Sequence, residues 1–150
     1  MCDLRIYCIG LSLSLLCNGG LALASEVIEL TQTSCQFIEA ENGVDHHYNK
    51  KIADDCELLN ARTAEQRLIK AQSLHLKAGD YVFRVSNRDV PYALGFWLRG
   101  AGLSRFTLPT VAGGGIAMGH SRDYSIRLEA GEYHYSCPLN PTPDYILIVE

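Results

Sequence analysis

The sequence predicts a mainly β protein, an antiparallel β-sandwich with one short helix. Three observations carry that prediction. Short segments of the second half alternate apolar and polar residues with a period of two. Turn-forming residues separate them at short intervals. Tyrosine is the commonest aromatic residue, at 8, and glycine is frequent, at 13, a composition that favours strands and turns over helices.

The elements follow in chain order. Arg5 precedes a mostly apolar, uncharged run from Ile6 to Ala24 that ends Ala22-Leu23-Ala24. Small residues two apart before Ser25 mark 1–24 as a secretory signal peptide, cleaved after Ala24. Asn18-Gly19-Gly20 interrupts the run and leaves it short of the ~20 apolar residues a membrane span needs. A single domain is then expected over 25–150. Its first strands are Val27–Thr31 and Gln36–Ile38. A charged loop follows from Asn42 to Asp55. Asn60 or Thr63 caps a short helix over Ala64–Lys70. Ser73–Leu76, Tyr81–Ser86, Gly95–Arg99, Tyr124–Leu128, Tyr133–Cys137 and Tyr145–Val149 are the remaining strands, and Gly113-Gly114-Gly115 reads as a flexible connection. Tyr81, Tyr133, Tyr135 and Trp97 are expected in the core.

Composition narrows the function. The formal net charge is −4, which argues against a nucleic-acid-binding surface. There is no Gly-x-Ser-x-Gly, His-Glu-x-x-His or Cys-x-x-Cys, and the triple glycine lacks the lysine and helix of a phosphate loop. Nothing here points to an enzyme. Cys2, Cys8 and Cys17 leave with the leader, and Cys35, Cys56 and Cys137 remain. In an exported chain this predicts a Cys35–Cys56 disulfide with Cys137 free. Closing that loop of about 20 residues is worth ~3 kcal/mol in the chain-entropy model.

One set of residues resembles a known family. Asn87 and Pro91-Tyr92 follow the strand ending Phe83-Arg84-Val85-Ser86. Far downstream, Leu128-Glu129-Ala130-Gly131-Glu132-Tyr133-His134-Tyr135-Ser136-Cys137-Pro138 precedes the terminal strand. From about Leu74 to Glu150 the chain resembles the cupredoxins, the blue-copper sandwich proteins. The resemblance implies a Greek-key sandwich with any metal site at one end, between the loop after Asn87 and the loop after Cys137. A blue-copper site takes two imidazoles, a thiolate and a long axial thioether. Here Cys137 keeps the thiolate position, Tyr92 stands where the first imidazole is expected, and Pro138–Asp144 offers neither histidine nor methionine.

Hairpin register offers a replacement. A hairpin turning at Ala130-Gly131 sets Cys137 opposite Tyr124, with Arg122 and His120 on the same face. Met118, His120 and Cys137 then form a displaced copper site; otherwise Cys137 is a small buried hydrophobe and Met118-Gly119-His120 an ordinary loop. A second cluster, Glu39, Glu41, Asp45, His46 and His47, has the chemistry of a hard-metal or iron site, or of a solvated acidic segment. Asp54-Asp55 is similarly placed before Cys56, and His75 and His134 read as surface or structural. The expected function is therefore a periplasmic or secreted protein that binds copper or transfers electrons through a site near Cys137. The alternative is a metal-free binding module, an accessory factor with a periplasmic protein partner. Neither reading involves nucleic acid, or a membrane once the leader is removed.

Overall fold

Alternation in the sequence becomes two facing sheets. The structure, a computed structural model, describes residues 25–150, so the leader and its cleavage point lie outside the described residues. Its elements are β1 (Glu26–Thr33), β2 (Gln36–Phe37), α1 (Ala53–Lys70), β3 (Leu74–Leu76), β4 (Gly79–Asn87), β5 (Leu94–Gly100), β6 (Val111–Ile116), β7 (Ser121–Leu128), β8 (Gly131–Ser136) and β9 (Tyr145–Val149). One sheet has the order β2-β1-β4-β7 and the other β3-β9-β8-β5-β6. On β4, Tyr81, Phe83 and Val85 turn inward while Arg84 faces solvent. Tyr133, Tyr135, Tyr145 and Phe96 face them from the second sheet, and the Phe83 and Phe96 rings stack at 5.7 Å. The expected sandwich and its tyrosine core are present.

Five details differ from expectation, each for a physical reason. The sheets are mixed: β1–β4 and β3–β9 are parallel pairs. Parallel neighbours need a long crossover, and after β2 the chain makes one through α1. That helix begins at Ala53, not Ala64, with Asp54 and Asp55 in its first turn where the helix dipole favours acids. Asn60 and Thr63 are interior to it. Thr63 Oγ1 donates back to Leu59 O at 2.9 Å, and the Asn60 side chain donates to Pro141 O. Gly113-Gly114-Gly115 lies within β6. A glycine on the neighbouring β5 lets the two strands approach: a Cβ on Gly95 would sit 2.8 Å from Gly113 O. Trp97 points outward from β5 between inward Phe96 and Leu98, and the Arg99 guanidinium covers its ring at 3.8 Å.

The fifth difference matters most for the site. β7 and β8 do not form a hairpin. β7 pairs with β4 along its whole length, and β8 lies between β5 and β9 in the opposite sheet. The turn at Ala130-Gly131 is a corner between sheets. Tyr133 fixes it, donating its hydroxyl to Glu129 O at 3.1 Å and accepting the Glu129 N–H at 3.2 Å, the arrangement called a tyrosine corner. Gly131 holds φ +154°, a conformation that residues with a Cβ rarely adopt, and a Cβ there would also press on Leu108 Cδ1 at 2.7 Å. Loss of the buried phenol's two bonds in Tyr133→Phe should destabilise the fold by about 1–2 kcal/mol, read as a lower urea midpoint with unchanged slope. An unchanged midpoint would show that the corner does not hold the sheets.

Candidate functional site

The end of the sandwich where β8 runs out is organised by two asparagines. Asn87, fully buried at the end of β4, donates from Nδ2 toward Val90 O, Tyr92 O and Ile116 O at 3.0–3.1 Å. Its own backbone accepts the Gly119 N–H at 2.7 Å and donates to His120 O at 2.9 Å. One residue thus anchors both the Tyr92 loop and the Met118–His120 turn.

Asn140 does the same for the Cys137 loop. It is fully buried, donating from Nδ2 to Thr33 O at 2.8 Å and accepting the Cys35 N–H on Oδ1 at 2.8 Å. The Tyr92 hydroxyl reaches that oxygen at 3.4 Å. Asn140 N–H and Gly95 N–H both donate to Cys137 Sγ at 3.3 Å. Thr142 Oγ1 accepts the Cys137 N–H at 3.1 Å and donates to Pro143 O. Three prolines in the loop leave few backbone donors to satisfy. The expected Cys35–Cys56 disulfide is formed, with Cα atoms 5.0 Å apart, and Cys137 is a buried free thiol. The disulfide attaches α1 to this end, since Cys56 sits in its first turn.

The electrostatics keep the end neutral. Burial pushes the Cys137 thiol above its ordinary value, outweighing the lowering effect of its N–H donors. Burial likewise raises the Tyr92 phenol, with Cys137 adding to the effect. A protonated thiol is a poor metal ligand.

Of the predicted ligands, Cys137 is buried within this arrangement, and His120 and Met118 lie in the turn that Asn87 anchors. His120 is exposed, its Nδ1 paired with Met118 O at 3.0 Å, and Met118 is 56% exposed. The register that was to bring His120 beside Cys137 is absent, because β7 and β8 belong to different sheets. Among the described residues, no group of three or more His, Cys, Asp or Glu is placed to hold a metal ion. Two buried oxygens on β1, Gln32 Oε1 and Thr33 Oγ1, lack partners among the described residues. Both are hard neutral donors, unlike the imidazoles and thioether of a blue-copper centre. The residues present do not fit such a centre.

The acidic segment is likewise spent on other partners. Glu39 accepts the Thr31 N–H at 2.7 Å. Glu41 pairs with Arg67 at 2.5 Å and with His46 at 2.7 Å. Asp45 pairs with Arg88, and with His47 at 3.2 Å. His134 lies partly buried near Glu132 and Asp144, and His75 is exposed on β3. Sequence reasoning missed Asn140 and Arg67. The first had one signal: it lies in the loop after Cys137 where the resemblance places an imidazole.

No family model and no curated protein matches this chain. Solved structures of amicyanin variants are similar to it. A reduced variant is 15% identical with TM-score 0.47, covering 86% of this chain and 87% of that one. An oxidized variant is 16% identical with TM-score 0.45 over the same shares. A reduced Cu(I) form at pH 4 is 22% identical with TM-score 0.38, covering 52% of this chain and 69% of that one. The β-sandwich itself rests on the strand pairing described above.

Asn140→Ala leaves the Cys35 N–H and Thr33 C=O buried without partners, at about 1–3 kcal/mol each. The variant should therefore unfold at clearly lower denaturant than the parent. A shift within measurement error would mean that Asn140 does not hold this end together.

Proposed function

We propose that this chain is an exported cupredoxin-like binding module that works without copper, an accessory protein to a partner in the periplasm or outside the cell. The observation that carries this reading is the Tyr92–Asn140–Cys137 arrangement. A phenol, a carboxamide and a protonated thiol occupy the end where the resemblance places two imidazoles and a thiolate, and they hydrogen-bond to one another or to backbone. Opening the end to an ion would cost those bonds and the ionisation of a buried thiol. The apolar leader and the Cys35–Cys56 disulfide support an oxidising, exported location. Rigid loops on a sandwich are a usual platform for recognition.

A second reading keeps copper and electron transfer. It is favoured by the free thiol at the loop end, and it draws His120 and Met118 as further ligands. It requires Cys137 to ionise and the 117–120 turn to move inward.

Anaerobic copper titration separates the two. The parent protein should show no thiolate-to-copper absorption. Tyr92→His combined with Asn140→His supplies the missing imidazoles and should gain an absorption that Cys137→Ser removes. Intense absorption in the parent, lost in Cys137→Ser and weakened in His120→Ala, would establish the copper reading instead.

A further inference from the structure

A cleft of about 330 Å³ opens between the last turns of α1 and the segment from Glu41 to Tyr48. That volume lies at the lower limit of small-molecule sites, about 300–1,000 Å³. Its floor is a fixed polar centre. Glu41, 4% exposed at its side chain, accepts from Arg67 Nε at 3.0 Å and Nη2 at 2.5 Å, and from the Tyr145 hydroxyl. Its other oxygen takes His46 Nε2 at 2.7 Å. Arg67 spends Nη2 also on Cys35 O at 2.9 Å and one Nη1 hydrogen on Asn60 Oδ1 at 2.7 Å. One Nη1 N–H is left over among the described residues. Glu41 and Arg67 cancel in charge.

The walls and rim have a different character. The His46 and Tyr48 rings stack at 5.3 Å with a 26° tilt, and the Arg67 guanidinium lies 5.1 Å from the Tyr48 centroid. Val44 adds an aliphatic side. Lys70 lines the rim, and no carboxylate pairs with its ammonium among the described residues. Flat ring faces, a spare guanidinium hydrogen and one unmatched cation select a planar ring bearing a negative charge.

We propose that this cleft binds a small aromatic or heteroaromatic carboxylate, its ring against the Tyr48–His46 pair and its carboxylate between Lys70 and Arg67 Nη1. The inference goes beyond the metal-free reading and uses none of the residues around Cys137.

The test is calorimetric titration of the protein with benzoate and, separately, with benzamidine, which has the same ring and the opposite charge. Benzoate should bind saturably and benzamidine should not. Lys70→Glu removes the unmatched cation and should weaken benzoate about tenfold or more. Tyr48→Ala removes the ring face and should weaken it similarly. Lys70 is exposed at the end of α1, so Lys70→Glu should lower the thermal midpoint only slightly, through the helix dipole, and give a readable result even if Tyr48→Ala unfolds. Absence of benzoate binding, equal binding of benzamidine, or undiminished binding in Lys70→Glu would overturn the proposal. Each of these leaves the copper titration unaffected, so the two readings fail separately.

Discussion

The carboxamide of Asn140 meets Thr33 O and the Cys35 N–H at 2.8 Å each, joining chain segments more than a hundred residues apart. Its backbone N–H meets the Cys137 sulfur. Much of the architecture at this end follows from that contact. The β1–β2 turn is pinned to the Cys137 loop, and the disulfide carries the same attachment into α1. Asn60 of α1 reaches Pro141 O in the loop itself. A helix with little apolar burial of its own, only Cys56 and Arg67 being buried, stays on the sandwich because these covalent and polar ties hold it.

The second centre is ionic. Burying Glu41 and Arg67 costs solvation that their attraction alone need not recover. Here the cost is met by hydrogen bonds from Tyr145 and His46 to the carboxylate, and from the guanidinium to Cys35 O and Asn60. Arg67 therefore connects the helix, the disulfide turn and β9. The same bonds remove Glu41 and His46 from any role as free metal ligands, which is why a His-rich acidic segment ends as the floor and wall of a cleft.

Strands were legible in the sequence where burial is one-sided, since a period of two names the inward face directly, as in Tyr81-Val82-Phe83-Arg84-Val85. The disulfide was legible from cysteine arithmetic. Sheet membership was not. Alternation on β7 and β8 is equally compatible with a hairpin and with a corner, and the decision rests on Tyr133 bonding back to Glu129. The first half of α1 escaped because its only terminal signal, Asp54-Asp55, also suited a metal-binding reading. Trp97 escaped because hydrophobicity suggested burial where strand phase set exposure. Asn140 escaped because its partners, Thr33, Cys35 and Tyr92, are brought together only by the finished fold.

A closed, neutral end differs from a metal site chiefly in the state of one sulfur. The Cβ chemical shift of Cys137, followed by NMR as pH is raised, reads that state directly. With the loop closed over it, Cys137 should remain a thiol at neutral pH and still be protonated at the ordinary thiol value of 9.0, because burial outweighs its N–H donors. In Asn140→Ala, should that variant stay folded, water reaching the sulfur should lower the midpoint toward the ordinary value. A parent protein whose Cys137 is already a thiolate at neutral pH would contradict the closed end and restore the sulfur as a ready metal ligand.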